Sequence, residues 1–213
     1  MAQRDSAKPL TARRTRTQTA GPQAQEHLLR AAGELFYREG VRAVGVDAVV
    51  ERAGVNKMSL YRQFSSKDDL VIAYLEQQDQ RFFSYVEASF AKHPGQPAKQ
   101  LVQYFEDLAL RASVDDYRGC PFVNVAVEFP DPSHPARQFV MNNKARLMDR
   151  LTALASEAGA GDPVALANAL GLLIEGVYAA SQTYGCGCGP ILAAPRVAAQ
   201  LIAAACAGTN APQ

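Results

Sequence analysis

The sequence GVDAVVERAGVNKMSLYRQF at residues 45–64 has the pattern of two short helices joined by a tight turn. The first helix carries an apolar stripe that consists of Val46, Val49, Val50 and Ala53. Gly54 ends this helix after about two turns, because glycine readily takes the left-handed backbone that a sharp turn requires. Asn56 is a good N-cap for the second helix, whose apolar side consists of Leu60, Tyr61 and Phe64. The pattern predicts a helix-turn-helix motif.

A longer helix is predicted directly before this motif, from Gln23 to Gly40. Its apolar residues recur at helical spacing, at Leu28, Ala32, Leu35 and Phe36. The three helices together would bury Val49, Val50, Val55 and Leu60 in the angle between the two short ones. The polar first turn of the third helix then faces outward, and an α-helix fits the major groove of DNA.

Several segments between Gln23 and Leu75 together resemble the DNA-binding domain of the tetracycline-repressor (TetR) family, in one register without a gap. They are HLLRAAGELF (27–36), Gly40, VDAV (46–49), AGV (53–55), LYRQF (60–64) and SKDDL (66–70). The stretch RGCPFVN (118–124), which continues to EFPDP (128–132), is similar to one branch of that family and assigns no ligand. The resemblance implies an all-α fold of about nine helices, with an N-terminal DNA-binding domain and a larger C-terminal domain for ligand binding and dimerisation.

The resemblance also implies an interface with double-stranded DNA. The predicted interface comprises Asn56, Lys57, Met58, Ser59, Tyr61, Arg62, Gln63 and Lys67. The three consecutive residues that begin at Lys57 would face base edges, with Lys57 donating to guanine and Met58 lying against a thymine methyl group. Tyr61, Gln63 and Lys67 would contact phosphates.

Some of these positions stay open or depart from the family pattern. Tyr61 is equally compatible with core packing, Lys67 is compatible with a solvated charge, and Phe64 is assigned to the core. Gly45 stands where the family usually has Ser or Thr at the cap of the second helix, which removes a possible phosphate contact. Met58 stands where the family often has Gly, so the operator sequence does not follow from better-known members.

The rest of the chain is also predicted to be helical, with no convincing strand. A long helix runs from Asp68 to about Ala91, and others lie near 97–113, 120–129, 134–158, 163–184 and 193–207. The last helix is expected to have Pro195 in its first turn and to end at Gly208. We therefore divide the chain into an arm (1–22), a helix-turn-helix domain (23–67) and a ligand-sensing and dimerisation domain (68–213).

The charge of the chain is unevenly distributed. Residues 1–67 contain 12 Lys and Arg against 6 Asp and Glu, and residues 68–213 contain 10 against 15, although the net charge of the whole chain is only +1. A basic front part suits a polyanion such as DNA. Residues 1–22 have almost no large apolar side chains and are expected to be disordered when free. Arg13, Arg14 and Arg16 of this arm would follow the phosphates or enter the minor groove.

The last two helices are predicted to pair with their two-fold mates as a four-helix bundle, as the TetR resemblance implies. The helix from Pro163 to Tyr184 is apolar on nearly all sides and therefore needs burial on more than one side. Gly171 and Gly176 allow another helix to approach closely. The final helix is expected to place Val197, Leu201, Ile202 and Ala205 on one face.

A cavity for a small-molecule effector is expected among the middle helices. Its candidate lining residues are Phe83, Tyr104, Phe105, Phe122, Asn124 and Tyr178, together with Phe82 and Phe139. All of them are also compatible with plain core packing. Asn124 and Glu128, one helical turn apart, are interpreted as bracing the turn at Pro130-Asp131-Pro132.

The cysteines leave an alternative function open. Cys120, Cys186 and Cys188 would serve a redox- or metal-sensing regulator, but the chain's three histidines are scattered and no cation that would activate a thiol is evident. Inert cysteines are therefore the preferred interpretation. No motif of a catalytic site or of a cofactor is present. Without a signal peptide or a membrane span, we expect a cytoplasmic repressor, released from a near-palindromic operator by its effector.

Overall fold

The computed structural model describes residues 21–207, and every regular element in this range is an α-helix. The nine helices are α1 (Gly21–Glu39), α2 (Val46–Ala53), α3 (Lys57–Gln63), α4 (Lys67–Phe90), α5 (Pro97–Ala112), α6 (Pro121–Glu128), α7 (Pro135–Glu157), α8 (Pro163–Thr183) and α9 (Gly189–Ala207). This confirms the all-α expectation. The predicted arm lies outside the described residues, except for Gly21 and Pro22, which belong to α1.

Helices α1, α2 and α3 pack together as an N-terminal unit. The residues predicted to fill the angle between α2 and α3 are all buried. Gly54 ends α2 in the left-handed conformation, at φ 69°. The Asn56 side chain caps α3 by accepting a hydrogen bond from the Ser59 amide at 2.8 Å. The sequence therefore predicted this unit down to its turn and its cap.

Helices α4 to α9 form a larger C-terminal unit in which α7, α8 and α9 pack in succession and α5 lies against α9. Four of these helices begin with a proline, at Pro97, Pro121, Pro135 and Pro163. Proline suits this position because its fixed φ is already helical and a first-turn amide needs no intrahelical acceptor. Ser66 and Asp69 form a capping box that fixes the start of α4 directly after the N-terminal unit.

The last helix differs from the prediction. Helix α9 begins at Gly189, four residues before the expected start, and Pro195 lies inside it. Pro190 occupies the first turn instead, while Pro195 costs the helix one amide donor. The expected end at Gly208 lies outside the described residues. Ile202 is 3% exposed because α9 turns it toward the protomer's own core, whereas Leu201 is half-buried.

Candidate nucleic-acid interface and ligand cavity

The outward side of α3 carries large exposed side chains. Met58 is 67% exposed and Tyr61 is 49% exposed, whereas Leu60 and Phe64 are buried. Lys57 and Arg62 are exposed, and Gln63 and Lys67 are half-buried. A methionine and a tyrosine at this exposure contribute little to the protein's own core. They are available to a partner molecule.

Lys57 is held by a carboxylate in the absence of a partner. Its Nζ lies 2.9 Å from Oδ1 of Asp47 on α2, and both side chains are exposed. The hydrogen bond from Lys57 to Asp47 raises the pKa of the lysine. A lysine that contacts a base or a phosphate must first leave this ion pair. Asp47 lies in the first turn of α2.

Two other polar residues of the predicted interface are bonded to each other. The side-chain oxygen Oδ1 of Asn56 accepts hydrogen bonds from the Ser59 amide at 2.8 Å and from the Ser59 hydroxyl at 3.0 Å. Arg62 lies one turn beyond Met58, and its Nη2 is 3.7 Å from the methionine sulfur. Gly45 caps α2 with backbone alone and brings no side-chain oxygen to this surface.

The N-terminal unit is fastened to the loop between α5 and α6. The Tyr37 hydroxyl on α1 donates to the Gly119 carbonyl at 3.1 Å and accepts from the Arg118 amide at 2.8 Å. The Arg118 guanidinium donates back to the Tyr37 carbonyl at 2.7 Å. Residues more than 80 positions apart are therefore joined by three hydrogen bonds.

Glu128 makes a second link between the units. Its carboxylate accepts from the Val41 amide at 3.1 Å and from the Arg42 amide at 2.6 Å, both in the turn between α1 and α2. Asn124 donates to the Arg118 carbonyl at 2.9 Å. The bracing role predicted for this pair is real, but the predicted turn was wrong. The Pro130–Pro132 turn is held by Asp131, which accepts from Ser133.

A cavity of about 550 Å³ lies between α1, α4, α5, α8 and the α5–α6 loop. Helix α1 contributes a complete strip of its wall, from Arg30 to Tyr37. Of the residues predicted to line a cavity, Tyr178 and Phe82 do so. The contribution of α1 to this wall was not predicted, because α1 was assigned only to the DNA-binding domain.

The other predicted cavity residues have different surroundings. Tyr104, Phe105 and Phe122 are fully buried in an aromatic cluster, with the rings of Tyr104 and Phe105 5.7 Å apart. The Phe83 ring lies 4.1 Å beneath the Arg146 guanidinium of α7. The amide of Asn124 is occupied by the backbone, and Phe139 is a partly buried neighbour of the core. None of these residues lines the cavity.

Buried tyrosines surround the cavity's inner end. Burial raises the pKa of Tyr117 and of Tyr178, and it raises the pKa of Tyr104 to about 12. The buried Tyr104 hydroxyl faces the Tyr178 hydroxyl, with which it makes at most a weak hydrogen bond. These phenols are therefore neutral donors at any physiological pH.

All four cysteines are free thiols, and they differ in burial. Cys120 is buried at the cavity wall, and burial raises the pKa of its thiol although Lys144 lies 3.9 Å from the sulfur. A reactive thiolate needs a lowered pKa. Cys186 and Cys188 only donate weakly to backbone carbonyls at 3.8 Å and 3.9 Å. Within residues 21–207, no group of three metal-binding side chains exists.

Two helices are long and apolar enough to cross a membrane by length and composition. They are α8 and α9, with 44% and 22% of the most apolar window buried inside the protomer. Core helices of globular proteins pass the same test, and α8 packs between α7 and α9. The low burial of α9 leaves much of its apolar surface without cover.

Comparison with known proteins identifies relatives along most of the chain. The profile of bacterial regulatory proteins of the tetR family matches residues 28–74. SCO4454 of Streptomyces coelicolor, a TetR-family transcriptional regulator of known structure, is 32% identical with a TM-score of 0.78, and the match covers 89% of this chain and 97% of that one. The regulator sav143 of Streptomyces avermitilis is 34% identical with a TM-score of 0.75, over 85% and 97% of the two chains.

Among curated proteins, the matches include regulators with different printed roles. The transcriptional activator FasR of Mycolicibacterium smegmatis is 49% identical over 49 residues, which are 23% of this chain and 22% of FasR. The transcriptional regulator YjdC of Escherichia coli is 22% identical over 152 residues, 71% of this chain and 80% of YjdC. The strongest local identity is therefore confined to a short segment of FasR.

Proposed function

This chain belongs to the TetR family of DNA-binding transcriptional regulators, and we propose that it is a homodimeric repressor that leaves a near-palindromic operator when a small molecule fills the cavity beside α1. The observation that carries this proposal is the shared wall. Helix α1 belongs to the DNA-binding unit, and the same helix lines the cavity from Arg30 to Tyr37. An occupant of the cavity would contact the DNA-binding unit directly.

In this proposal α3 enters the major groove. Lys57, Met58 and Ser59 face base edges, while Tyr61, Gln63 and Lys67 contact phosphates. The exposure of Met58 and Tyr61 supports these roles, since neither side chain is used by the core. Asn56 contributes by capping α3, because its carbonyl oxygen is already taken by Ser59.

The dimer is proposed to form through α8 and α9. The face of α8 that the protomer leaves exposed carries Ala165, Leu172, Gly176 and Ala179 at helical spacing. A Cβ on Gly176 would meet nothing within 4 Å, so this side of α8 is open to another helix. Leu192 of α9 is 63% exposed. A two-fold pairing of these faces would place the two α3 helices on one side of a DNA duplex.

Release by a ligand is proposed to act through the contacts between the two units. Tyr37 lines the cavity and also holds the α5–α6 loop through its hydroxyl. A molecule that displaces Tyr37 would change the position of α1 against the C-terminal unit, and hence the distance between the two α3 helices of the dimer. An equilibrium shift of this kind requires different ligand affinities of the DNA-bound and DNA-free arrangements.

Selection of bound DNA from a random pool tests the DNA-reading assignment. The wild-type chain should enrich an inverted repeat, and Met58→Ala should enrich an altered one. Tyr61→Ala should enrich the wild-type sequence with lower affinity, because phosphate contacts carry no sequence information. Identical enriched sequences for wild type and for both Lys57→Ala and Met58→Ala would refute the assignment of α3.

A screen for release of the selected operator tests the second half of the proposal. Compounds that release DNA should also raise the protein's melting temperature, since they bind the folded state. Placing a bulky Trp at Gly33, on the cavity side of α1, should abolish the response to such compounds. Release that is unaffected by changes in the cavity wall would locate the effector site elsewhere.

A further inference from the structure

Three arginines stand at the cavity without a carboxylate partner. Arg30, Arg81 and Arg111 all line it, and none of them makes an ion pair or a hydrogen bond within residues 21–207. The Arg111 guanidinium lies 5.2 Å over the ring of Tyr85, another lining residue, which fixes its position. Arg30 and Arg81 are exposed and mark the mouth of the cavity.

Glu34, the one carboxylate among the lining residues, interacts mainly with Arg52 and only weakly with Arg30. Glu34 is bound by Arg52 of α2, whose Nη2 and Nε lie 2.6 Å and 3.0 Å from one carboxylate oxygen. The contact with Arg52 also lowers the pKa of Glu34, so this group is ionised and already neutralised. The cavity wall therefore carries an excess of positive charge.

The inner end of the cavity is aromatic. Phe82, Tyr117 and Tyr178 line it, and Tyr178 is only 5% exposed. The Tyr117 hydroxyl makes no hydrogen bond to another described residue, whereas the Tyr178 hydroxyl interacts with that of the buried Tyr104. Flat aromatic walls that also carry phenol hydroxyls suit a ring system with a polar substituent.

We propose that the cavity binds an aromatic organic anion, with its ring system between Phe82, Tyr117 and Tyr178 and its acid group against Arg81 and Arg111. This inference rests on the proposed function, since it names the chemical class of the effector. A guanidinium matches a carboxylate in shape and charge, and two of them beside one cavity select an acid over its neutral analogue. The volume of about 550 Å³ lies within the range of small-molecule sites.

Paired probes test the charge requirement. Titration calorimetry of the full-length protein compares 2-naphthoate with 2-naphthamide, and biphenyl-4-carboxylate with its primary amide. Each acid should bind at least about tenfold more tightly than its amide, and added salt should weaken only the acids. Equal affinities, or no binding of either acid at millimolar concentration, would overturn the proposal.

Arginine variants test the location. Arg81→Gln and Arg111→Gln should each weaken the acids by about five- to twentyfold and leave the amides unchanged. The matched control is Arg38→Gln, which removes the same charge from α1, where Arg38 is exposed and faces Asp116 at 3.8 Å. If Arg111→Gln fails to fold, Arg81→Gln still decides the question, because Arg81 is exposed and unpaired. An equal loss with Arg38→Gln would reduce the effect to general electrostatics and overturn the site.

Operator release, measured separately, distinguishes this inference from the function on which it rests. Tight binding of acids that leaves DNA binding unchanged would retain the anion site and contradict ligand-induced release. Release by neutral compounds, with acids inactive in both assays, would retain the repressor proposal and refute the anion site.

Discussion

The ion pair between Lys57 and Asp47 affects how Lys57 can bind DNA. Lys57 lies ten positions from Asp47 across the α2–α3 turn, and their ion pair exists only because that turn brings the two helices together. Exposed ion pairs of this type contribute little to folding stability. The consequence here concerns binding, since Asp47 both occupies Lys57 and adds a negative charge beside the surface that faces DNA.

Asp47→Asn is therefore expected to strengthen DNA binding. Loss of the carboxylate frees Lys57 and removes repulsion of phosphates, so the affinity for the selected operator should rise about three- to tenfold at low salt. The preference at the base pair contacted by Lys57 should also change. Fluorescence anisotropy with the operator and with single-base variants measures both effects.

The matched control is Glu51→Gln, which removes the same charge one turn further along α2. Glu51 is exposed and makes no ion pair with Lys57. It should raise affinity for all sequences equally, without a change of preference. The same altered preference in both variants would contradict a specific role of the Asp47–Lys57 pair.

At the scale of elements, the sequence predicted most helices to within two residues, because prolines and glycines mark their ends. The prediction was wrong at the start of α9, because Pro190 and Pro195 are both compatible with a first turn. The packing of α9 in the folded protein, which the local sequence does not show, places Pro190 there. The exposed side of α3 was also predictable, since a short amphipathic helix has one outer face. The cavity was not, because its lining comes from five separate parts of the chain whose convergence leaves no local pattern.

The turn between α1 and α2 depends on α6. Gly40 has φ 91°, and a Cβ added there would lie 2.9 Å from the Glu128 carboxylate. That carboxylate cannot retreat freely, because the amides of Val41 and Arg42 hold it. Gly54 has φ 69° in the α2–α3 turn, but a Cβ there meets nothing within 4 Å. An alanine substitution at Gly54 therefore tests backbone strain alone, whereas the same substitution at Gly40 tests backbone strain together with a steric clash.

Gly54→Ala should destabilise the protein by about 1–2 kcal/mol through backbone strain alone. Gly40→Ala should cost about 1–3 kcal/mol more than that, because it also displaces Glu128 from two amides. The double variant Gly40→Ala with Glu128→Ala should lose less stability than the sum of the losses in the two single variants, since the clash needs both side chains. Urea unfolding of the wild type, Gly54→Ala, Gly40→Ala, Glu128→Ala and the double variant measures these losses; additive losses in the double variant would show that Gly40 and Glu128 do not interact.

At the scale of the whole molecule, the basic charge of the chain is concentrated at one end. Residues 1–20 include Arg4, Lys8, Arg13, Arg14 and Arg16 against the one acid Asp5. Each phosphate that these residues neutralise should add about 0.9 to the slope of log affinity against log salt. Removal of residues 1–20 is expected to weaken operator binding and to make that slope shallower by about one to three. Superimposable slopes for the full and shortened chains would show that the arm does not contact DNA.

The exposed apolar face of α8 and α9 is the surface that a second protomer is proposed to bury. Leu172 is 76% exposed in the protomer, and burying such a side chain is worth about 1.5–3 kcal/mol, twice over in a two-fold interface. Leu172→Glu would instead place two carboxylates in that interface. This variant should sediment as a monomer with unchanged helical content, and its affinity for a full operator should fall to that for a half-site.

Leu110→Glu is the matched control for this dimer. Leu110 is 72% exposed on α5, outside the pairing face proposed for α8 and α9, so the same change there should leave the dimer and its operator affinity intact. Ile202, which was predicted to lie on the pairing face of α9, does not suit this test, because a charge at that buried position would unfold the protomer and leave dimerisation untested. Sedimentation of the wild type and of both variants at micromolar concentration decides between the possibilities. A monomeric wild type would contradict the proposed dimer. A Leu172→Glu protein that stays dimeric would require another pairing surface, and the placement of the two α3 helices proposed above would have to be abandoned with it.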